Sequence, residues 1–177
     1  CSIIIFYKVI KIINSYTPDI ATEANAHALA RYAATAQEAG LVPIVEPEVL
    51  MDGDHSIDVC QSVTERTLAC VFDQLYRHNV RLEGIVLKPN MVVAGNECAQ
   101  QPNVTEVADR TLQSLRRHVP SAVPGIAFLS GGQSEEDATA HLNAMNAQGP
   151  QPWELTFSYG RALQQSTLQA WKGSPDN

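Results

Sequence analysis

The sequence predicts an α/β fold of the barrel type, built from repeated strand and helix units. Short apolar runs recur roughly every 30 to 40 residues along the 177-residue chain, and a stretch with helical periodicity separates each run from the next. None of these units carries the GxGxxG turn of a dinucleotide site or the GxxxxGK[ST] loop of a nucleoside triphosphate site. We therefore expect a (β/α)8 (TIM) barrel or a piece of one, with about four to five β/α units.

The first part of the chain predicts a strand, a helix and a second strand. Residues 3–13 are apolar and β-branched, which indicates one buried strand. Residues 20–39 are rich in alanine and predict a helix that ends before Gly40. Residues 41–48, LVPIVEPE, predict the next strand. The residues near helical spacing in this helix are Ile20, Ala24, Ala28 and Tyr32.

The rest of the chain repeats this alternation. Residues 57–78 predict a helix that leads into a strand at residues 83–88. Strands separated by helices in this way form right-handed βαβ units and a parallel sheet. The later elements are expected as a helix over 106–117, a strand over 125–130, a helix over 135–147, a strand over 153–158 and a helix over 161–171.

Composition and charge limit the possible partners. A chain with 45% hydrophobic residues is enough for one domain with a core. The formal net charge of −7 and the lack of a basic cluster argue against nucleic acid as a partner. Lys8 and Lys11 interrupt the apolar N-terminal segment before it reaches the roughly 20 residues of a membrane span. The segment also lacks the charged start, apolar middle and small-residue cleavage site that a signal peptide has in that order. We expect neither a nucleic-acid partner nor a membrane partner.

The cysteines and histidines give no sign of a metal site. The four cysteines contain no CxxC pair, and Cys60 and Cys70 fall inside one predicted helix, which argues against a disulfide framework or a zinc site. The five histidines are scattered without metal-ligand spacing. We therefore expect no metal, no other cofactor and a reducing, cytoplasmic setting.

All four of the clear strands end in polar side chains. In barrels of this class the catalytic residues lie at the C-terminal ends of the strands. Because residues two apart in a strand share a face, Glu46 and Glu48 point the same way, and Lys88 can meet them at the mouth of the barrel. The plainer alternative is that strands simply end in polar residues, but four such ends together favour a site. The four ends are Glu46-Pro47-Glu48, Lys88-Pro89-Asn90, Ser130-Gly131-Gly132 and Ser158-Tyr159-Gly160-Arg161.

An amine at the mouth of a barrel suggests covalent catalysis. An ordinary lysine is almost fully protonated at neutral pH and is a poor nucleophile until desolvation or a neighbouring cation lowers its pKa. The free amine of Lys88 would attack a substrate carbonyl and form an imine, which draws electrons from the adjacent carbon–carbon bond. A carboxylate that moves protons, such as Glu46, would complete an aldol or retro-aldol cycle.

The last two strand ends suggest a phosphate site. Glycine-rich turns leave backbone N–H groups free to face an anion, and the loops after the last two strands of a barrel often bind phosphate. Ser130, Gly131 and Gly132 fit one half of such a site, and Gly160 and Arg161 fit the other. Residues 130–134 also read as a turn in which Ser134 caps the next helix, and both interpretations can hold together.

Four motifs in order, VEPEVLMDGDH, LEGIVLKPNMV, FLSGGQSEE and LTFSYGRALQ, closely resemble the class I fructose-bisphosphate aldolases. The resemblance runs over residues 26–172. It implies metal-free cleavage of fructose 1,6-bisphosphate to dihydroxyacetone phosphate and glyceraldehyde 3-phosphate in glycolysis, by a barrel that forms homotetramers. By the same resemblance, Lys88 is the Schiff-base residue, Glu46 is an acid/base residue and Glu48 is its close neighbour. Those expected at substrate phosphate are Ser130, Gly131, Ser158, Gly160 and Arg161.

The chain also departs from this family. The resemblance covers only the C-terminal part of the barrel, and Ile5, Phe6 and Tyr7 stand where the family has a KWR segment. We therefore divide the chain into an atypical segment, residues 1–16, that is not family-like and a partial barrel domain, residues 17–177. One hypothesis is an aldolase with a truncated chain that has little or no activity alone. The other is a noncatalytic half-barrel that binds phosphate or acts as an interaction protein.

Overall fold

A computed structural model of the chain, which describes residues 2–13 and 17–175, shows five parallel strands that alternate with five α-helices. This confirms the predicted α/β class and gives a partial (β/α) barrel. The strands are β1 (Ile3–Ile10), β2 (Val42–Val49), β3 (Val86–Leu87), β4 (Gly125–Phe128) and β5 (Glu154–Phe157). The helices are α1 (Asp19–Glu38), α2 (Ile57–Arg77), α3 (Val104–His118), α4 (Glu135–Ala147) and α5 (Arg161–Trp171).

The sheet keeps the order of the chain, β1-β2-β3-β4-β5, and every neighbouring pair is parallel. All eight residues of β1 pair with β2, so Tyr7 lies opposite Glu46 and Val9 lies opposite Glu48. No further strand pairs with β1 or β5 within the residues described, so the sheet has two open edges. Because all four ladders are parallel, the C-terminal ends of the five strands lie together at one end of the sheet.

The helices begin where short polar side chains satisfy the first free backbone N–H groups. Ser56, Asn103 and Ser134 cap α2, α3 and α4, and each accepts a hydrogen bond from the amide three residues on. The bond from the Asp137 amide to the Ser134 hydroxyl is 3.0 Å long, so the capping interpretation of residues 130–134 is confirmed. The predicted bounds of α4 and α5 agree with the structure at both ends.

The core lies between the sheet and its helices. Val45, Leu87 and Ile126 contribute one fully buried side chain from each of the three central strands. The residues noted at helical spacing in α1 are not its most buried ones: Ile20 is 73% exposed, whereas Leu29 and Ala30 are buried. Four alanines form most of the buried face of α1, and their small side chains let the helix approach its neighbours closely: Ala26, Ala30, Ala33 and Ala36.

Two strands differ from their prediction. The first was expected to be one buried strand over residues 3–13, but β1 ends at Ile10 and Ile3, Ile5 and Tyr7 are 61%, 46% and 61% exposed. It is an edge strand: among the residues that the structure describes, only β2 pairs with it. The strand expected over 83–88 has just two residues, because residues 82–84 form a 3-10 turn.

Candidate active site

Lys88 and Glu46 form a buried ion pair at the C-terminal ends of β2 and β3. The Lys88 amide donates to the Val45 carbonyl oxygen at 2.8 Å, which continues the ladder and fixes the lysine beside β2. Its Nζ lies 3.0 Å from Oε1 of Glu46, and the two side chains are only 12% and 9% exposed. The structure therefore brings together the amine and the carboxylate that the period of two in each strand placed on one face.

Glu48 lies two residues beyond Glu46 and is half-buried. Its pKa is raised above the ordinary value, first by burial and then by the negative charge of Glu46. The positive charges of Arg161 and Lys88 oppose this shift. Glu48 therefore holds a proton more readily than an exposed glutamate does, and it lies within electrostatic range of both predicted cations.

Asn90 fastens the ends of β2 and β3 together, a role that the sequence did not reveal. Its Oδ1 accepts a hydrogen bond from the Val49 amide at 3.0 Å, and its Nδ2 donates to Oγ1 of Thr64 on α2 at 3.1 Å. Asn90 follows Lys88 by two residues, and Val49 follows Glu48 directly. The one sequence signal for this role was a polar residue that ends an apolar strand.

The turn after β4, here called the glycine turn (residues 130–133), is tightly wound. Gly131 and Gly132 have φ angles of 65° and 110°, which favour glycine. The carbonyl oxygen of the buried residue Ser130 accepts two hydrogen bonds from Gln133, one from the backbone amide and one from Nε2, both 3.0 Å long. The amides of the two glycines donate no hydrogen bond to any residue that the structure describes, so they are free to face an anion.

Glu48 borders the glycine turn. A Cβ atom built on Gly131 would lie 3.8 Å from Oε1 of Glu48 and 3.2 Å from a methyl group of Leu129. The turn therefore reaches the same edge of the sheet as the ion pair, and a larger residue at position 131 would crowd its neighbours.

The residues after β5 have different roles: one belongs to the sheet, and two begin α5. The Ser158 amide donates to the Phe128 carbonyl oxygen at 2.8 Å, so this N–H belongs to the sheet and is not available to a ligand. Gly160 stands at the N-cap of α5 without a side-chain cap, and Arg161 is the first residue of that helix and exposed. The positive N-terminal end of the α5 dipole and the guanidinium of Arg161 would therefore both attract an anion.

Within residues 2–13 and 17–175, no group of three or more His, Cys, Asp or Glu side chains is placed to hold a metal ion. The same part of the chain contains no helix long and apolar enough to cross a membrane. Cys60 and Cys70 are free thiols on α2. Burial raises the pKa of Cys60, which makes it a packing residue and a poor nucleophile.

A family model described as fructose-bisphosphate aldolase class-I matches residues 1–177. The chain belongs to the class I fructose-bisphosphate aldolases. The predicted resemblance is thereby confirmed. The match includes residues 1–16, whose separation from the partial barrel domain as an atypical segment stays a prediction.

Individual relatives agree with the aldolase family. The chain is 59% identical over 149 residues to a probable fructose-bisphosphate aldolase class 1 of Xanthomonas campestris, which covers 84% of this chain and 45% of that protein. It is 56% identical over 170 residues to fructose-bisphosphate aldolase B of Gallus gallus, which covers 96% of this chain and 47% of that protein. The chain thus spans about half the length of the curated relatives it matches.

A solved structure gives the same result. Fructose-bisphosphate aldolase from Plasmodium falciparum superimposes on this aldolase chain with a TM-score of 0.94 at 52% sequence identity. The superposition covers 97% of this chain and 50% of the other. The five strands of the open sheet therefore correspond to part of the aldolase barrel. The roles of individual site residues are not tested by these likenesses and stay predictions.

Proposed function

We propose that this chain carries the Schiff-base chemistry of a class I aldolase, a lyase reaction, with Lys88 as the nucleophile. The observation that supports the proposal is the buried contact of 3.0 Å between the Lys88 amine and the Glu46 carboxylate. A protonated amine has no lone pair, so a proton acceptor must lie within hydrogen-bond reach of it before it can attack. Glu46 is that acceptor.

The steps follow from these two groups. The Lys88 nitrogen forms a bond to the substrate carbonyl carbon, and the carbonyl oxygen leaves as water after it takes up protons. The resulting iminium accepts the electron pair of the bond between its α- and β-carbons as that bond breaks, while a carboxylate takes the proton of the hydroxyl group on the β-carbon, which becomes the carbonyl of the departing aldehyde. The enamine then regains a proton, and water releases the second product from Lys88. Glu48 is the second carboxylate of the cycle.

The proposed substrate is fructose 1,6-bisphosphate, cleaved to dihydroxyacetone phosphate and glyceraldehyde 3-phosphate. The free amides of Gly131 and Gly132 support a phosphate at the glycine turn, and Arg161 supports a second set of contacts beside it. We extend the proposal to a cytoplasmic, homo-oligomeric protein in glycolysis. One relative, 55% identical over 170 residues, is the cytosolic fructose-bisphosphate aldolase 4 of Arabidopsis thaliana.

Covalent trapping tests the nucleophile. The chain is mixed with dihydroxyacetone phosphate and reduced with borohydride, and mass spectrometry locates the added mass. We expect it on the peptide that contains Lys88, and we expect the same yield with and without a chelator such as EDTA. A Lys88→Arg variant keeps the positive charge but cannot form the imine, so it serves as the control. An adduct on Lys8 or Lys11, or none at all, would contradict the assignment.

A noncatalytic half-barrel is the second candidate, and the open edges of the sheet favour it. Tyr7 and Val9 lie opposite Glu46 and Glu48 on an edge strand with no further partner among the described residues, so one side of the site is unfinished. We expect little or no cleavage of fructose 1,6-bisphosphate by this chain alone, since a missing electrostatic or acid/base group commonly costs about 10²- to 10⁴-fold in rate. Phosphate binding without trapping at Lys88 would decide for this candidate.

A further inference from the structure

His141 is a buried histidine that the proposed chemistry does not use. It lies on α4 and is 8% exposed, and its Nδ1 lies 2.7 Å from Oε1 of Gln133 in the glycine turn. Burial lowers the pKa of His141, while the negative charge of Asp137, one helical turn earlier, opposes that effect. A polar ring in this position needs a partner, and the partner it has is a side chain of the proposed phosphate site.

Gln133 relays this contact to the backbone of the turn. Its Nε2 donates to the Ser130 carbonyl oxygen at 3.0 Å, so its Oε1 is the atom that faces the imidazole of His141. An amide oxygen only accepts, so Nδ1 of His141 carries the proton. Two consecutive side-chain hydrogen bonds thus run from the middle of α4 to the first residue of the glycine turn.

The glycine turn borders open space on one side. A cavity of about 300 Å³ lies behind it, with Met51, Gly132 and His141 among its lining residues. Gly132 carries no side chain that could fill this space, and glycine populates many backbone conformations. Without a further restraint, the turn could move into the cavity and direct its free amides away from a ligand.

We propose that His141 is a positioning residue that holds the glycine turn, through Gln133, in the shape that presents the amides of Gly131 and Gly132 to phosphate. The identity of the ligand rests on the proposed function. The restraint itself does not, because it consists of hydrogen bonds within the chain. Both the neutral ring with its proton on Nδ1 and the fully protonated ring donate from that atom, so the restraint does not depend on the charge of the ring.

Two substitutions separate the hydrogen bond from the bulk of the ring. His141→Asn keeps a nitrogen donor bonded to Cγ, the position that Nδ1 has in histidine, whereas His141→Leu fills the space without a donor. Asn143→Leu places the same leucine on the exposed side of α4 and serves as the control for helix stability. All three are made in the full 177-residue chain.

Hydrogen exchange with residue-level mass spectrometry gives the first measurement, without ligand. The Gln133 amide bonds the Ser130 carbonyl oxygen in the turn, and we expect it to exchange about two- to tenfold faster in His141→Leu, the effect of losing one neutral hydrogen bond. His141→Asn and Asn143→Leu should exchange like the parent at this amide. Equal rates in His141→Leu and the parent, or equal acceleration in His141→Asn and His141→Leu, would overturn the proposal.

Inorganic phosphate gives the second measurement. In the parent and in His141→Asn, excess phosphate should slow exchange at Gly131 and Gly132, and this slowing should be weaker in His141→Leu. If phosphate slows nothing in the parent, the phosphate site of the proposed function is wrong, while the ligand-free comparison still decides the role of His141. If phosphate protects the parent and His141→Leu equally, His141 does not position the turn.

Discussion

Removing either member of the Lys88–Glu46 pair should destabilise the chain far more than a surface ion pair would. At 3.0 Å and an effective dielectric constant of about 20, the two charges attract by about 5 kcal/mol before the cost of desolvation is subtracted. The side chains are 12% and 9% exposed, so solvent screens them little and the charge left behind by a substitution stays buried. We expect Lys88→Met to lower the free energy of unfolding by about 3 kcal/mol or more.

The two single variants should differ in a defined direction. Lys88→Met leaves the carboxylates of Glu46 and Glu48 with Arg161 as the remaining positive charge that acts on Glu48. Glu46→Leu leaves the Lys88 amine within electrostatic range of Glu48, which provides a second partner. Glu46→Leu should therefore cost less than Lys88→Met. The double variant should unfold within about 1 kcal/mol of the parent, because replacing a whole buried pair with apolar side chains is often close to neutral.

Urea unfolding, followed by the fluorescence of the buried Trp153, measures these differences. Each variant is measured at two protein concentrations, so that self-association does not pass for stability. Single variants that each cost below about 1 kcal/mol, the range of exposed pairs, would refute the inference that the pair is energetically buried. A double variant as unstable as the sum of the singles would show that the two residues do not interact.

Two further predictions concern Glu48 and β1. Burial and the charge of Glu46 raise the pKa of Glu48 above its ordinary value of 4.5. The folded state therefore binds this proton more tightly than the unfolded state does, and the parent loses stability as pH rises from about 4.5 through the raised pKa. Glu48→Gln should unfold at a higher urea concentration than the parent at pH 7, and this difference should vanish below pH 4.5. Sedimentation of the parent should show self-association, since β1 is an open edge strand whose exposed apolar face includes Ile5 and Tyr7. Changing both residues to Lys should reduce the self-association, whereas Ile20→Lys on α1 should not. A parent that sediments as a monomer would contradict the reasoning.

Local signals in the sequence predicted most of the helices and strands, and tertiary contacts explain the exceptions. The bounds of α4 agree because Ser134 is a strong cap next to a stretch without helix breakers. The strand expected over 83–88 shortens because Gln37 of α1 donates to the carbonyl oxygens of Arg81 and Gly84 and holds that segment as a turn. A side chain 44 residues away cannot be inferred from local periodicity.

The exposure of β1 also shows that a local pattern in the sequence does not determine tertiary contacts. Its apolar sequence correctly predicts a strand, and its pairing along all eight residues agrees with that pattern. Burial depends on what covers the strand, however, and Ile5 and Tyr7 point to the face of the sheet that carries Glu46. An apolar pattern predicts a face that is suited to burial, and whether it is buried is decided by neighbours outside the segment.

The candidate site divides in a corresponding way between what strands and helices supply. Lys88 and Glu46 could be placed together from the sequence because the period of two in each strand and the parallel order of the strands fix both side chains at one edge. The contacts that hold the surrounding loops come from helices, Thr64 of α2 to Asn90 and His141 of α4 to Gln133. Their geometry depends on how each helix packs on the sheet, so no spacing in the sequence predicts it. Substitutions of Thr64 on α2 and His141 on α4 should therefore alter the shape of the site without removing any group that would touch the substrate.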